Sequence, residues 1–186
     1  MHVIRGKPDP IMQTQAWIEQ VVIGCGFCPF ANSVYQKKQI RYTVAHNSDL
    51  TDCLAVLLNE CVYLDTNNDV DTAFVIYTAA FAGFKDYLDA ANLAEDLMLK
   101  HAYQGVYQLA SFHPDYCFAQ QSQHDPANYT NRSPLPMFHI LRESSLDEAL
   151  RSYPNPEVIP EKNVAFAREK GITYMQGLLH NCQAIK

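Results

Sequence analysis

The sequence predicts an α/β (or α+β) fold: a mixed four-stranded sheet, three strands parallel and one antiparallel, flanked by helices. Three observations carry this. Short runs rich in Val, Ile, Tyr, Thr and Phe at 41–46, 73–78 and 106–112 alternate with long segments of helical periodicity at 49–63 and 87–101, and β-α alternation favours parallel pairing through helical crossovers. A fourth run, 137–142, follows a Pro-rich connector rather than a helix, so it can return antiparallel to the third. The chain has 186 residues, 48% of them hydrophobic, with no repeat, low-complexity tract or linker, and reads as one domain over 1–186.

Taken in order, residues 9–23 predict a helix with Asp9 as cap and Pro10 in the first turn. Trp17, Ile18, Val21 and Val22 form its apolar stripe, and Gly24 and Gly26 end it. A short helix follows over 27–38. Arg41–His46 alternates as a strand does. Ser48 is the expected cap of a helix over 49–63, and Asn67-Asn68-Asp69 is turn chemistry. Ala73–Thr78 is a continuous apolar run, as in a strand buried on both faces. Asp86 caps a helix over 87–101, where Tyr87, Ala91, Ala94 and Met98 recur at helical spacing. Val106–Phe112 and Met137–Arg142 are the third and fourth strands. Ser145-Leu-Asp-Glu148 is a capping-box pattern for a helix reaching Tyr153. Pro160 opens another helix that Gly171 stops, and 172–182 adds a last amphipathic segment.

Composition excludes some classes. A net charge of −6 and only short basic runs argue against nucleic-acid binding, which needs clustered Lys and Arg. No stretch has the apolar length of a membrane span, and Met1–Pro10 lacks the apolar core of a secretion signal. The expected location is cytoplasmic, where the six Cys are reduced thiols.

Functional residue types concentrate in 111–143. The segment reads Ser-Phe-His113-Pro-Asp115-Tyr, then Asp125-Pro-Ala-Asn128-Tyr-Thr-Asn131-Arg132-Ser-Pro, then Pro136-Met-Phe-His139-Ile-Leu-Arg142. A connector of this length without regular structure points to function, and Tyr116, Phe118, Tyr129 and Met137 anchor it against disorder. These blocks, together with Cys28-Pro-Phe-Ala31, resemble those of a bacterial family known as domain-of-unknown-function family 1415. The resemblance runs from Trp17 to about Arg168; it implies a site without implying a reaction. The family has Leu-Asn-Leu where this chain has Cys25-Gly26-Phe27, so Cys28, and not Cys25, is the thiol the family pattern carries.

Each candidate has a chemical and a plain reading. Cys28 can be a nucleophile, a wall residue, the partner of Cys25 in thiol-disulfide exchange, or a buried small side chain. Exchange would need the pair to follow a strand, and here a helix precedes it; no second Cys pair stands at zinc-ribbon spacing. In an extended segment His113 and Asp115 face the same way, giving an Asp-oriented general base or, with His139, a two-His, one-carboxylate metal set. The plain reading is a Pro114 turn capped by Asp115, with His139 in the core. Arg132, and Arg142 as a second contact, offer planar forks for an anion, with Asn128 and Asn131 positioning it. Alternatively Arg132 staples the loop to Asp115 or Asp125, and the Asn side chains satisfy backbone groups. An antiparallel return of the fourth strand to the third would bring His113 and His139 to one sheet edge, outside the carboxyl ends of the strands.

The leading expectation is therefore a small-molecule enzyme acting on an anionic metabolite through loop 113–136, with Cys28, His113, Asp115 and His139 as catalytic candidates and Asn128, Asn131, Arg132 and Arg142 as binding candidates. The alternative is a non-catalytic protein that binds a small ligand or a partner; the third is a metal-dependent hydrolase. No cofactor or resident metal is assigned.

Overall fold

Residues 8–186 are described by a computed structural model; the reading of Met1–Lys7 as part of a non-secretory start lies outside them. Four strands, β1 (Ile40–Ala45), β2 (Thr72–Tyr77), β3 (Tyr107–Phe112) and β4 (Met137–Arg142), form one sheet in the order β1-β2-β4-β3. Only β1 and β2 pair in parallel; β4 lies antiparallel between β2 and β3. This corrects the expected run of three parallel neighbours. The cause is visible in burial. All six residues of β2 are buried, so it needs a partner on each side. The more apolar of the two remaining strands takes that place: Met137, Phe138 and Ile140 of β4 are buried, whereas Gln108 of β3 is exposed and suits an edge. The crossover from β2 to β3 thus skips one position, and β4 fills it.

The helices are α1 (Pro10–Trp17), α2 (Ala31–Gln36), α3 (Leu50–Thr66), α4 (Phe84–Lys100), α5 (Glu143–Arg151), α6 (Ile159–Lys170) and α7 (Ile172–Gln183). They cover both sheet faces. On one, Cys53, Leu57, Cys61 and Leu64 of α3 and Tyr87, Ala90, Ala94 and Met98 of α4 pack on Ala73, Val75, Tyr77, Phe138 and Ile140. On the other, Trp17, Ala167, Met175 and Leu179 from α1, α6 and α7 pack on Phe74, Ile76 and Met137. None of the described helices is long and apolar enough to cross a membrane.

Asp9 caps α1 as its position predicts, accepting from the Ile11 and Met12 amides. The helix does not continue as α: Ile18–Ile23 winds as a π-helix. Three caps differ from expectation. Asp49, not Ser48, caps α3. Helix α4 starts after Gly83, three residues before Asp86. Helix α5 begins at Glu143, and Ser145, rather than capping it, donates to the Asp71 carboxylate across the cavity rim.

Candidate functional site

The turn out of the π-helix sets the first wall of the site. At Gly24 a Cβ would stand 2.4 Å from the Gln20 carbonyl oxygen, and Gly26 has φ +71°, so both positions require glycine. The chain then drops Phe27 against Phe166 of α6, and Asn163 donates to the Phe27 carbonyl at 2.7 Å. Cys28 follows in this pinned segment. It borders two cavities, one of about 630 Å³ over the sheet and one of about 650 Å³ beside α6.

The sheet-side cavity has a floor of Thr72, Phe74, Ala110, Phe112 and His139. Trp17, Ile18 and Val22 form one wall and α5, from Ser145 to Ala149, another; Lys37 and Asp71 stand at the rim. π-helical turns occur often at functional sites, and here one supplies both Ile18 and Val22. The cavity opens toward the amino ends of β1 and β2, over Ile40 and Thr72, not toward the carboxyl ends that an open parallel sheet suggested.

His139 is the polar centre of the floor. Its ring stacks on Phe74, with centroids 3.9 Å apart and planes 7° from parallel. Its Nε2 lies 2.6 Å from Thr72 Oγ1. That hydroxyl donates its one proton to the Ile140 carbonyl, so it accepts from His139, and Nε2 carries the imidazole proton. Nδ1 is then a lone-pair acceptor. It has no partner among the described residues, and no unpartnered side-chain nitrogen or oxygen among them is sealed from solvent. Nδ1 therefore opens to the cavity that the ring lines. Burial among apolar groups pushes the imidazole from 6.5 down to about 3, so it is neutral at physiological pH.

Cys28 is a protonated thiol. Burial raises it, and the Phe30 and Ala31 amides at the start of α2 offset this only in part. Cys25 is likewise raised, by burial against a smaller opposing effect of Lys170. Neither thiol has the lowered pKa of exchange chemistry, and all six cysteines are free.

The two histidines lie near the same end of the β3–β4 pair, as expected, but on opposite faces of the sheet. Phe112 pairs with Met137 and Ala110 with His139, which puts His139 on the Phe112 face and His113 on the opposite one. His113 is buried against Phe84 and Tyr87. Both its nitrogens are engaged: Nδ1 accepts from the Asp115 amide, so Nε2 is the donor to the Phe81 carbonyl. Burial lowers its pKa. Asp115 is exposed and meets His113 through its amide. His113, Asp115 and His139 do not converge, and among the described residues no three His, Cys, Asp or Glu side chains form a metal-ligating group.

The loop's other polar groups mostly hold the loop. Asp125 caps a 3-10 turn over Pro126–Thr130 and pairs with Arg168 at 2.7 Å, which holds its carboxyl below the usual range. Asn128 is fully buried, accepting from the Phe118 amide and donating to the Ser122 carbonyl. Arg132 donates to the Tyr116 and Gln123 carbonyls over the Tyr129 ring, so its partners are neither Asp115 nor Asp125. Arg142 donates to the Leu64, Asn67 and Val70 carbonyls at the end of α3 and to the Tyr107 hydroxyl. No ion pair joins it to Glu143. Asn131 faces the cavity beside α6.

The structure thus brings Cys28, His139 and Arg142 to one cavity and Cys28 and Asn131 to its neighbour, and spends Asn128, Arg132 and His113 inside the loop. Thr72, Lys37 and Asn163 are site residues that sequence reading missed. Their roles arise from contacts between distant elements, and no local pattern marks them.

No curated protein and no solved structure matches the chain. A family model described as a protein of unknown function (DUF1415) matches residues 9–177, and the chain belongs to that family.

Proposed function

We propose that this is a cytoplasmic small-molecule-binding protein whose ligand occupies the sheet-side cavity. The ligand has an apolar body that packs against Trp17, Phe74 and Phe112, and a donor that meets His139 Nδ1. An anionic substituent faces Lys37, which is exposed at the rim and has no ion-pair partner among the described residues. The observation that carries the reading is the acceptor of His139: a fixed tautomer, held neutral, with its lone pair opening into a largely apolar chamber of ligand size. Free thiols throughout fit a reducing compartment.

Recognition is favoured over proton transfer by magnitude. With a pKa of about 3, protonating His139 at neutral pH costs about 5 kcal/mol. The same atom supports a second reading, an enzyme in which a bound acid loses its proton to Nδ1, provided the ligand's charge offsets that cost. A thermal-shift screen against a metabolite panel tests the first reading. A true ligand at ~100 times its dissociation constant adds about 2.7 kcal/mol of stability. His139→Phe removes the gain. Hits that stabilise the His139→Phe protein equally refute the assignment. Turnover of a hit, lost in the same variant, would favour the enzyme.

A further inference from the structure

The cavity beside α6 has no part in the function proposed above. It shares three lining residues, Val22, Cys28 and Phe112, with the sheet-side cavity. Its polar chemistry differs. Asn163 uses its Nδ2 on the Phe27 carbonyl, which leaves Oδ1 as an unpartnered acceptor. Asn131 uses one end of its amide on Thr130 Oγ1 and keeps the other free. Arg168 is spent on Asp125. The chamber therefore offers two amide groups, with the exposed Glu161 carboxylate at its edge, all of which can accept from the N–H groups of a ligand head.

We propose that the two cavities are lobes of one site, joined at Val22, Cys28 and Phe112, and that the ligand has two parts: an apolar ring system in the sheet-side lobe and a carboxamide-like head in the lobe beside α6. This rests on the binding function proposed above and adds the second lobe to it. A carboxamide carries both a donor, for Asn163 Oδ1, and an acceptor and donor for the free end of Asn131. Cys28, kept as a thiol by burial, is a small neutral side chain at the passage between the lobes. Joining two weakly held parts makes the second contact intramolecular, so the linked ligand gains affinity without new contacts.

Fluorescent probes test this on the full chain. Dansylamide supplies a ring and a sulfonamide donor for the first lobe; dansyl-6-aminohexanamide adds a carboxamide tail that reaches the second. The tailed probe should bind one to one and at least about tenfold tighter than dansylamide. Val164→Phe or Ala165→Phe, at partly or fully exposed positions lining the second lobe, should abolish the gain and leave dansylamide affinity unchanged. Ala149→Phe should weaken both probes. A dansyl probe with a heptyl tail should lack the gain, since it has no head. Urea titration confirms that each variant is folded, and either second-lobe filler suffices. If dansylamide binds and the tail adds nothing, or its gain survives both fillers, the two-lobe site is overturned while the single cavity stands. If neither probe binds, both readings fall.

Discussion

Replacing His139 by Phe isolates the acid sensitivity of one partly buried ring. In the folded protein the imidazole titrates near pH 3, and unfolded it returns to about 6.5. Between these values the unfolded chain binds more protons than the folded one, so stability rises with pH across that window. The contribution is fully present above about pH 6.5 and is lost as the pH falls toward 3. The whole window is worth about 5 kcal/mol, and the step from about pH 7.5 to about pH 5 takes away about 2 kcal/mol of it. Phe keeps the stack on Phe74, and Thr72 still donates to Ile140; the bond from Nε2 to Thr72 is lost, an offset that is constant with pH and drops out of the difference between two pH values. His113, lowered by burial, and Asp125, lowered by its bond to Arg168, also destabilise the fold in acid, but they are common to both proteins and cancel in the difference. Urea denaturation at a series of pH values should show the wild type losing about 2 kcal/mol more than His139→Phe between those two pH values. Parallel stability curves would mean that the ring is solvated in the folded state, and the neutral acceptor at the heart of the cavity would go with it.

Three further outcomes rest on hydrogen bonds and a fourth on the burial of the thiols. Asn128→Ala strands the Phe118 amide and the Ser122 carbonyl and should cost about 2–4 kcal/mol in urea unfolding, with faster proteolysis within 113–136. Arg132→Ala should cost about 1–3 kcal/mol, since its bonds to Tyr116 and Gln123 are partly exposed, while probe binding in the cavity stays unchanged. Arg142→Met removes the donor that closes the last turn of α3 and should cost about 2–4 kcal/mol, read as a lower urea midpoint at unchanged slope. Thiol titration should find Cys25, Cys28 and Cys117 reactive in the native protein and Cys53, Cys61 and Cys182 only after denaturation; a missing thiol would reveal a disulfide.

Elements with their own local chemistry were legible in the sequence. The Asp9 cap, the bounds of β4 at Met137 and Arg142, and the stop of α6 at Gly171, where φ is +80°, all rest on residues adjacent in the chain. Strand order was not legible from alternation alone, because a β-α-β unit constrains direction and handedness but not whether its strands are neighbours. The clue lay in comparing runs: Met-Phe-His-Ile-Leu is a centre strand, and Tyr-Gln-Leu-Ala-Ser-Phe an edge. Register was beyond reach. With period two, a slip of one residue moves a side chain to the other face, and the pairing of Phe112 with Met137 is what parts His113 from His139. The π-helix was hidden because its apolar spacing, Ile18 to Val22, also suits an α-helix.

The polar loop illustrates why a dense cluster of functional residue types need not be where the chemistry happens. Connector 113–136 carries the chain from the end of β3 to the start of β4 with one 3-10 turn as its only helix. Parts of it are buried, among them Ala127, Asn128, Tyr129 and Ser133, so its amides and carbonyls cannot all turn to water. Each buried backbone group needs a partner, and a long irregular segment cannot supply enough of them itself. Asn, Asp, Arg and His fill that need: Asn128 joins residues 118 and 122, Arg132 joins 116 and 123, and His113 ties the loop to Phe81 and to the Asp115 amide. The loop in turn holds the aromatic wall, because the Trp17 indole donates to the Arg132 carbonyl at 2.9 Å. Polar residues that look catalytic in a row thus act as a frame, while the open lone pair at His139 sits on a strand whose neighbours are almost all apolar.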